Sequence, residues 1–164
     1  MIDTDVFERA ESLLQTCRDA GVTIATVESC TGGLVAASLT EVAGSSSVVD
    51  RGFVTYTNEA KNELVGVPMH LFEQVGAVSE EVARAMAEGA LTNSNAEVSG
   101  SVTGVAGPSG GTVEKPVGLV HMSVARKGYD TLHLRSIFEG DRNSIRLQSV
   151  SVVIDLMRCQ AELP

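Results

Sequence analysis

The feature that most constrains this chain is a repeated change of period. In "DVFERAESLLQTCRDAG", Val6, Ala10, Leu13, Leu14 and Cys17 recur at helical spacing. The unbroken run "VTIATVE" then reads as a buried strand. "GGLVAASLTEV" returns to a helix ending at Gly44, "GFVTYT" is a short strand, and "NEAKNELVGV" gives a helical turn or two stopped by Pro68. "SEEVARAMAEGALTNSN" is a helix with Val82, Met86 and Ala90 on one face, and "EVSGSVTGVAG" is a strand running into a glycine loop. "VGLVHMSVARKGYDTLHLRSIF" folds back at Lys127-Gly128, and "DRNSIRLQSVSVVIDLMRCQ" closes the chain as a helix. Asp5 with Glu8, Ser79 and Asp141 supply N-terminal caps, and Gly21 a C-terminal stop. Strands that alternate with helices require a largely parallel sheet covered on both faces, and the late hairpin adds antiparallel pairing. The expectation is one α/β domain over residues 1–164, a three-layer α/β/α sandwich with a mixed, mostly parallel sheet.

Composition narrows the partners. At 164 residues and 43% hydrophobic content the chain can bury a full core. Its net charge of −9 repels nucleic-acid phosphates and anionic lipid, so neither nucleic acid nor membrane is expected as a partner. No apolar run approaches the roughly 18 residues of a membrane span. Cys17, Cys30 and Cys159 form no CxxC pair or disulfide framework, which fits a reducing, cytoplasmic compartment. The polar, acidic start is unlike a signal peptide. Oligomeric state is open, and a homo-oligomer is compatible with the sequence.

Sites in open α/β sheets gather outside the carboxyl ends of strands. Four segments there carry hydroxyl, glycine or basic residues: Ser29 to Gly33, Tyr56 to Lys61, Thr103 to Gly111, and the stretch before Arg142. Thr31, Gly32 and Gly33 serve either a tight strand-to-helix turn or an anion that takes free N–H groups. Gly104 and Gly107, in "TGVAGPSGG", lie either in a flexible connection or in a loop wrapped around a ribose or phosphate. Neither segment matches a P-loop or a dinucleotide fingerprint. Ser45, Ser46 or Ser47 could be a nucleophile if a base takes its proton, and a desolvated Lys61 could be that base; a turn and a solvated helix face are the plain alternatives. Cys30 is a thiolate candidate or a small packing residue. Arg142, one turn before Arg146, binds phosphate or pairs with a carboxylate. His70, His121 and His133 adjoin no nucleophile motif, and no metal-ligand spacing occurs.

Taken together, "ESCTGG", "GSS…DRGFVTYTNEAK", "GAVSE", "TGVAGPSGG…EKPVG" and "GDR", in this order, resemble the CinA C-terminal domain family, and most closely its stand-alone nicotinamide-nucleotide amidases. The resemblance implies a three-layer sandwich that hydrolyses the carboxamide of nicotinamide mononucleotide without metal or organic cofactor. It implies Ser46 as nucleophile, Lys61 as its general base and Tyr56 as a supporting hydroxyl. It further implies that Ser29 and Thr103 position the substrate, with Thr31 to Gly33 as N–H donors, and that Arg142 grips the phosphate. The competing expectation is a regulatory module that binds a nucleotide or sugar phosphate without catalysis.

Overall fold

Asp3 to Pro164 are described by a computed structural model in which eleven regular elements follow one another. They are α1 (Thr4–Ala20), β1 (Ile24–Glu28), α2 (Leu34–Thr40), β2 (Val49–Val54), α3 (Asn58–Val65), α4 (Met69–Gln74), α5 (Glu80–Thr92), β3 (Val98–Gly104), β4 (Leu119–Arg126), β5 (Leu132–Ile137) and α6 (Arg142–Ala161). A single 3-10 turn, Ser45–Ser47, precedes β2.

The five strands form one sheet in the order β2-β1-β3-β4-β5. β1 runs parallel to both β2 and β3, whereas β3/β4 and β4/β5 are antiparallel. The sheet is therefore mixed, with parallel pairing at half its seams, because β4 returns from β3 through the glycine loop as well as entering the hairpin.

Alternation along β3 distributes the helices over two faces. Ser99 and Ser101 donate to the Ala87 and Ala83 carbonyls of α5. A Cβ on Gly100, between them, would strike Met157 and Val153 of α6. On the α6 side, α1 and α2 complete a core that includes Leu13, Leu14, Leu39, Ile145 and Ile154. On the α5 side, Val27, Val65, Val82 and Met86 form a smaller cluster. These are the three expected layers.

Ser79 and Asp141 cap their helices as expected, accepting from Val82 N–H and Ser144 N–H. The cap of α1 is Asp3, since the helix starts one residue before Asp5. α3 ends on Gly66, whose φ of +71° lets its N–H turn back to the helix, and Pro68 instead opens α4 as its N-cap; a residue without an N–H loses nothing at a helix start. The local result that matters most is Thr57, whose hydroxyl accepts from Ala60 N–H and fixes the start of α3. That start lies just beyond the carboxyl end of β2, next to Glu28 at the end of β1.

Candidate active site

Ser29, Cys30, Tyr56, Thr57, Lys61, Thr103, Gly104, Gly107 and Arg142 all line one cavity of about 480 Å³ beyond the carboxyl ends of β1, β2 and β3. Asn58, Glu59, Ala77, Val78 and Ser109 also stand in its wall, with Val105, Ala106 and Gly110 of the glycine loop. None of the three histidines lines it among the described residues.

At its floor sits Lys61, only 1% exposed. One turn of helix beyond the Thr57 cap brings its Nζ to 3.1 Å from Ser29 Oγ. The same nitrogen lies 2.8 Å from the Thr55 carbonyl and 3.4 Å from that of Tyr56. No carboxylate stands within ion-pair distance of it among the described residues. Burial without a counter-ion disfavours the ammonium and pulls Lys61 down to about 8. A neutral amine has two N–H bonds and one lone pair. With the N–H bonds taken by carbonyls, of which Thr57 offers a third at 3.5 Å, the lone pair is left for the Ser29 hydroxyl.

Ser29 is the first residue after β1, and its N–H donates to Val102 of β3. The turn behind it is held from below by Glu28. That buried carboxylate accepts from Val35 N–H at 2.8 Å and Ala36 N–H at 3.0 Å, at the start of α2. Gly32 and Gly33 both have positive φ, +61° and +99°, which lets the turn close in so few residues. Among the described residues, the N–H groups of Cys30 and Thr31 donate to no carbonyl oxygen. Cys30 lines the cavity as a thiol, which burial pushes up to about 11. Thr31, Gly32 and Gly33 do not line it: the Thr31 side chain is fully buried, and the three residues form the turn itself.

Ser46 is elsewhere, so the expected Ser46–Lys61 pair does not form. It is exposed in the turn before β2, whereas Lys61 lies beyond the end of that strand. The six residues of β2, Val49–Val54, span roughly 20 Å between them at about 3.3 Å per residue. Tyr56 does not offer its hydroxyl to Lys61 either. Its hydroxyl receives an N–H from Arg142 Nη2 at 3.3 Å, and only its backbone carbonyl faces Lys61. Thr103 donates to the Ala77 carbonyl at 2.8 Å and so holds the wall that Ala77 and Val78 form. Arg142, the first residue of α6, donates from Nη1 to the Gly107 carbonyl at 2.8 Å. Neither Arg142 nor Arg146 has a carboxylate partner among the described residues. No three His, Cys, Asp or Glu side chains among those residues converge on a metal position, and no helix there is long and apolar enough to cross a membrane.

Comparison with known proteins agrees with this architecture. Residues 7–160 match the CinA C-terminal domain family. Nicotinamide-nucleotide amidohydrolase PncC of Escherichia coli strain K12 is 42% identical over 157 residues, which is 96% of this chain and 95% of that protein. The protein of the same name from Enterobacter agglomerans is 53% identical over 122 residues, 74% of each chain. The crystal structure of competence/damage inducible protein CihA from Agrobacterium tumefaciens superposes with a TM-score of 0.96 at 43% identity, covering 99% of both chains.

Proposed function

The chain belongs to the CinA C-terminal domain family, and on that premise we propose that it hydrolyses the carboxamide of nicotinamide mononucleotide to nicotinate mononucleotide and ammonia. Relatives named as nicotinamide-nucleotide amidohydrolases support the reaction class over nearly the whole chain. The observation that carries the mechanism is the 3.1 Å approach of Lys61 Nζ to Ser29 Oγ.

Ser29 is the nucleophile in this reading, not Ser46. Neutral Lys61 takes the hydroxyl proton as Ser29 Oγ bonds to the carboxamide carbon. The carbonyl π pair moves onto oxygen, and the N–H of Cys30, which lines the cavity and donates to no carbonyl, is available to that oxyanion. The tetrahedral intermediate collapses with cleavage of the C–N bond, and the Lys61 ammonium returns its proton to the departing nitrogen, releasing ammonia. Water then attacks the acyl-Ser29 ester while Lys61 accepts its proton. Cleavage of the ester C–O bond restores the Ser29 hydroxyl and frees the carboxylate product.

Arg142 serves the phosphate. Two of its N–H bonds hold Gly107 and Tyr56, and the remaining donors have no acid to satisfy them. A purely binding module would gain nothing from a buried, unpaired lysine, which costs stability. The deciding experiment measures ammonia released from nicotinamide mononucleotide and from nicotinamide riboside. Release from the nucleotide, lost in Ser29→Ala, is expected. Arg142→Ala should lower kcat/KM for the nucleotide ten- to a hundredfold, given about 1.5–3 kcal/mol for a charge-assisted hydrogen bond, and leave the riboside nearly unchanged. No ammonia from the nucleotide would overturn the reading.

A further inference from the structure

Arg146 is one helical turn beyond Arg142, half-buried, and outside the cavity lining. Its Nη2 donates to the Thr31 carbonyl at 2.8 Å, and that oxygen also accepts from Leu34 N–H at 3.2 Å. Its Nε is buried with no partner, and so is the Thr31 hydroxyl oxygen. No acid pairs with it among the described residues. A guanidinium near a helix N-terminus opposes the helix dipole, and a buried one without a counter-ion is costly to desolvate. Local stability therefore does not account for it.

We propose that Arg146 is a positioning residue: by gripping the Thr31 carbonyl it orients the Cys30–Gly33 turn so that the free Cys30 N–H behind Ser29 meets the acyl oxygen. The inference rests on the hydrolytic reading above. Because each peptide is planar and trans, fixing one carbonyl fixes the N–H on its other side. Arg146 thereby sets the Thr31–Gly32 peptide, and the Gly32 N–H closes the turn onto the Ser29 carbonyl at 3.0 Å. A Cβ at Gly32 would sit 3.7 Å from Nη2, an ordinary contact, so the glycine answers to the turn's φ of +61° and the grip itself needs only the carbonyl. The uncompensated charge adds a positive potential behind a transition state that develops negative charge on oxygen.

The test compares the parent, Arg146→Met, Arg146→Lys and Ser29→Ala on nicotinamide mononucleotide, each with a thermal melt. Met keeps the packed stem and removes the donors. Expected are a ten- to hundredfold loss of kcat in Arg146→Met, KM within twofold of the parent, and an unmoved pH midpoint for the residual rate. Added guanidinium ion should restore part of kcat in a saturable way. Arg146→Lys should fall between the parent and Met in kcat, and it decides the matter if Met does not fold. A kcat within twofold of the parent in Met, a loss carried by KM, a shifted midpoint, or a Lys variant no better than Met would each overturn the proposal. An active Ser29→Ala would instead sink the nucleophile assignment, so the two failures are distinguishable.

Discussion

A lysine at 1% exposure with only hydroxyl and carbonyl partners gives up its proton more readily than a solvated one, which suits a base. Two consequences belong to single residues. Ser29→Ala should reduce kcat at least a thousandfold, while Ser46→Ala, at the opposite end of β2 from Lys61, should stay within twofold; ammonia release measures both. The rate should climb with pH through about 8, where Lys61 loses its proton. The same shift acts on stability. The folded value lies below the unfolded 10.5, so below pH 8 the fold carries the full cost of a proton that burial disfavours. At 1.36 kcal/mol per unit that cost is about 3 kcal/mol, and orphaning the Thr55 carbonyl returns about 1. Lys61→Met should therefore abolish activity yet stabilise the protein by about 2 kcal/mol at pH 7. Urea unfolding should show that advantage shrinking between pH 8 and 10.5.

At the scale of elements, α3 is set in place by a glycine on another helix. A Cβ at Gly89 of α5 would come to 1.8 Å from the Val65 carbonyl at the end of α3. Gly89→Ala gains helix propensity worth about 1 kcal/mol but must push α3 outward, at about 1–3 kcal/mol for overpacking. Since α3 carries Lys61, displacement by an ångström can cost on the order of a hundredfold in rate. The expected result is a lowered melting temperature with a kcat loss exceeding tenfold, whereas a variant as active and stable as the parent would show the helices to be loosely coupled. α2 is seated differently, through Glu28, so the two sides of the serine turn are anchored by unlike means.

For the whole molecule, the layer order and most caps were legible because period and cap chemistry are local properties. Pro68 reads as a stop in the sequence yet opens α4, since a proline before a helix and one after it look alike in a short window. The cavity was legible as a set of strand ends, but its pairing was not. The serine that meets Lys61 depends on strand direction: Ser29 follows β1 and Ser46 precedes β2, so in a parallel pair they fall at opposite ends. That inference was available from the boundaries alone. Arg146 was not, because its partner is a backbone carbonyl 115 residues away, which no side-chain pattern signals. Burial of the thiols is likewise global. Cys17 and Cys30 are buried, with their thiols pushed up to about 12 and about 11, while Cys159 is exposed. Titration with a chromogenic disulfide should find one rapidly reacting thiol in the native protein and three in denaturant.

The adjacency of a base-assisted hydroxyl and a suppressed thiol has a consequence for inhibitor chemistry. Soft electrophiles such as maleimides or chloroacetamides need a thiolate, and Cys30 supplies little of it near neutral pH. Hard, reversible electrophiles need an alkoxide donor, and Ser29 beside Lys61 is one. A pyridine nucleotide bearing a boronic acid in place of its carboxamide would become a tetrahedral boronate on Ser29, mimicking the charged intermediate. Selectivity over thiol-dependent enzymes would then follow from warhead hardness, without any change to the rest of the ligand.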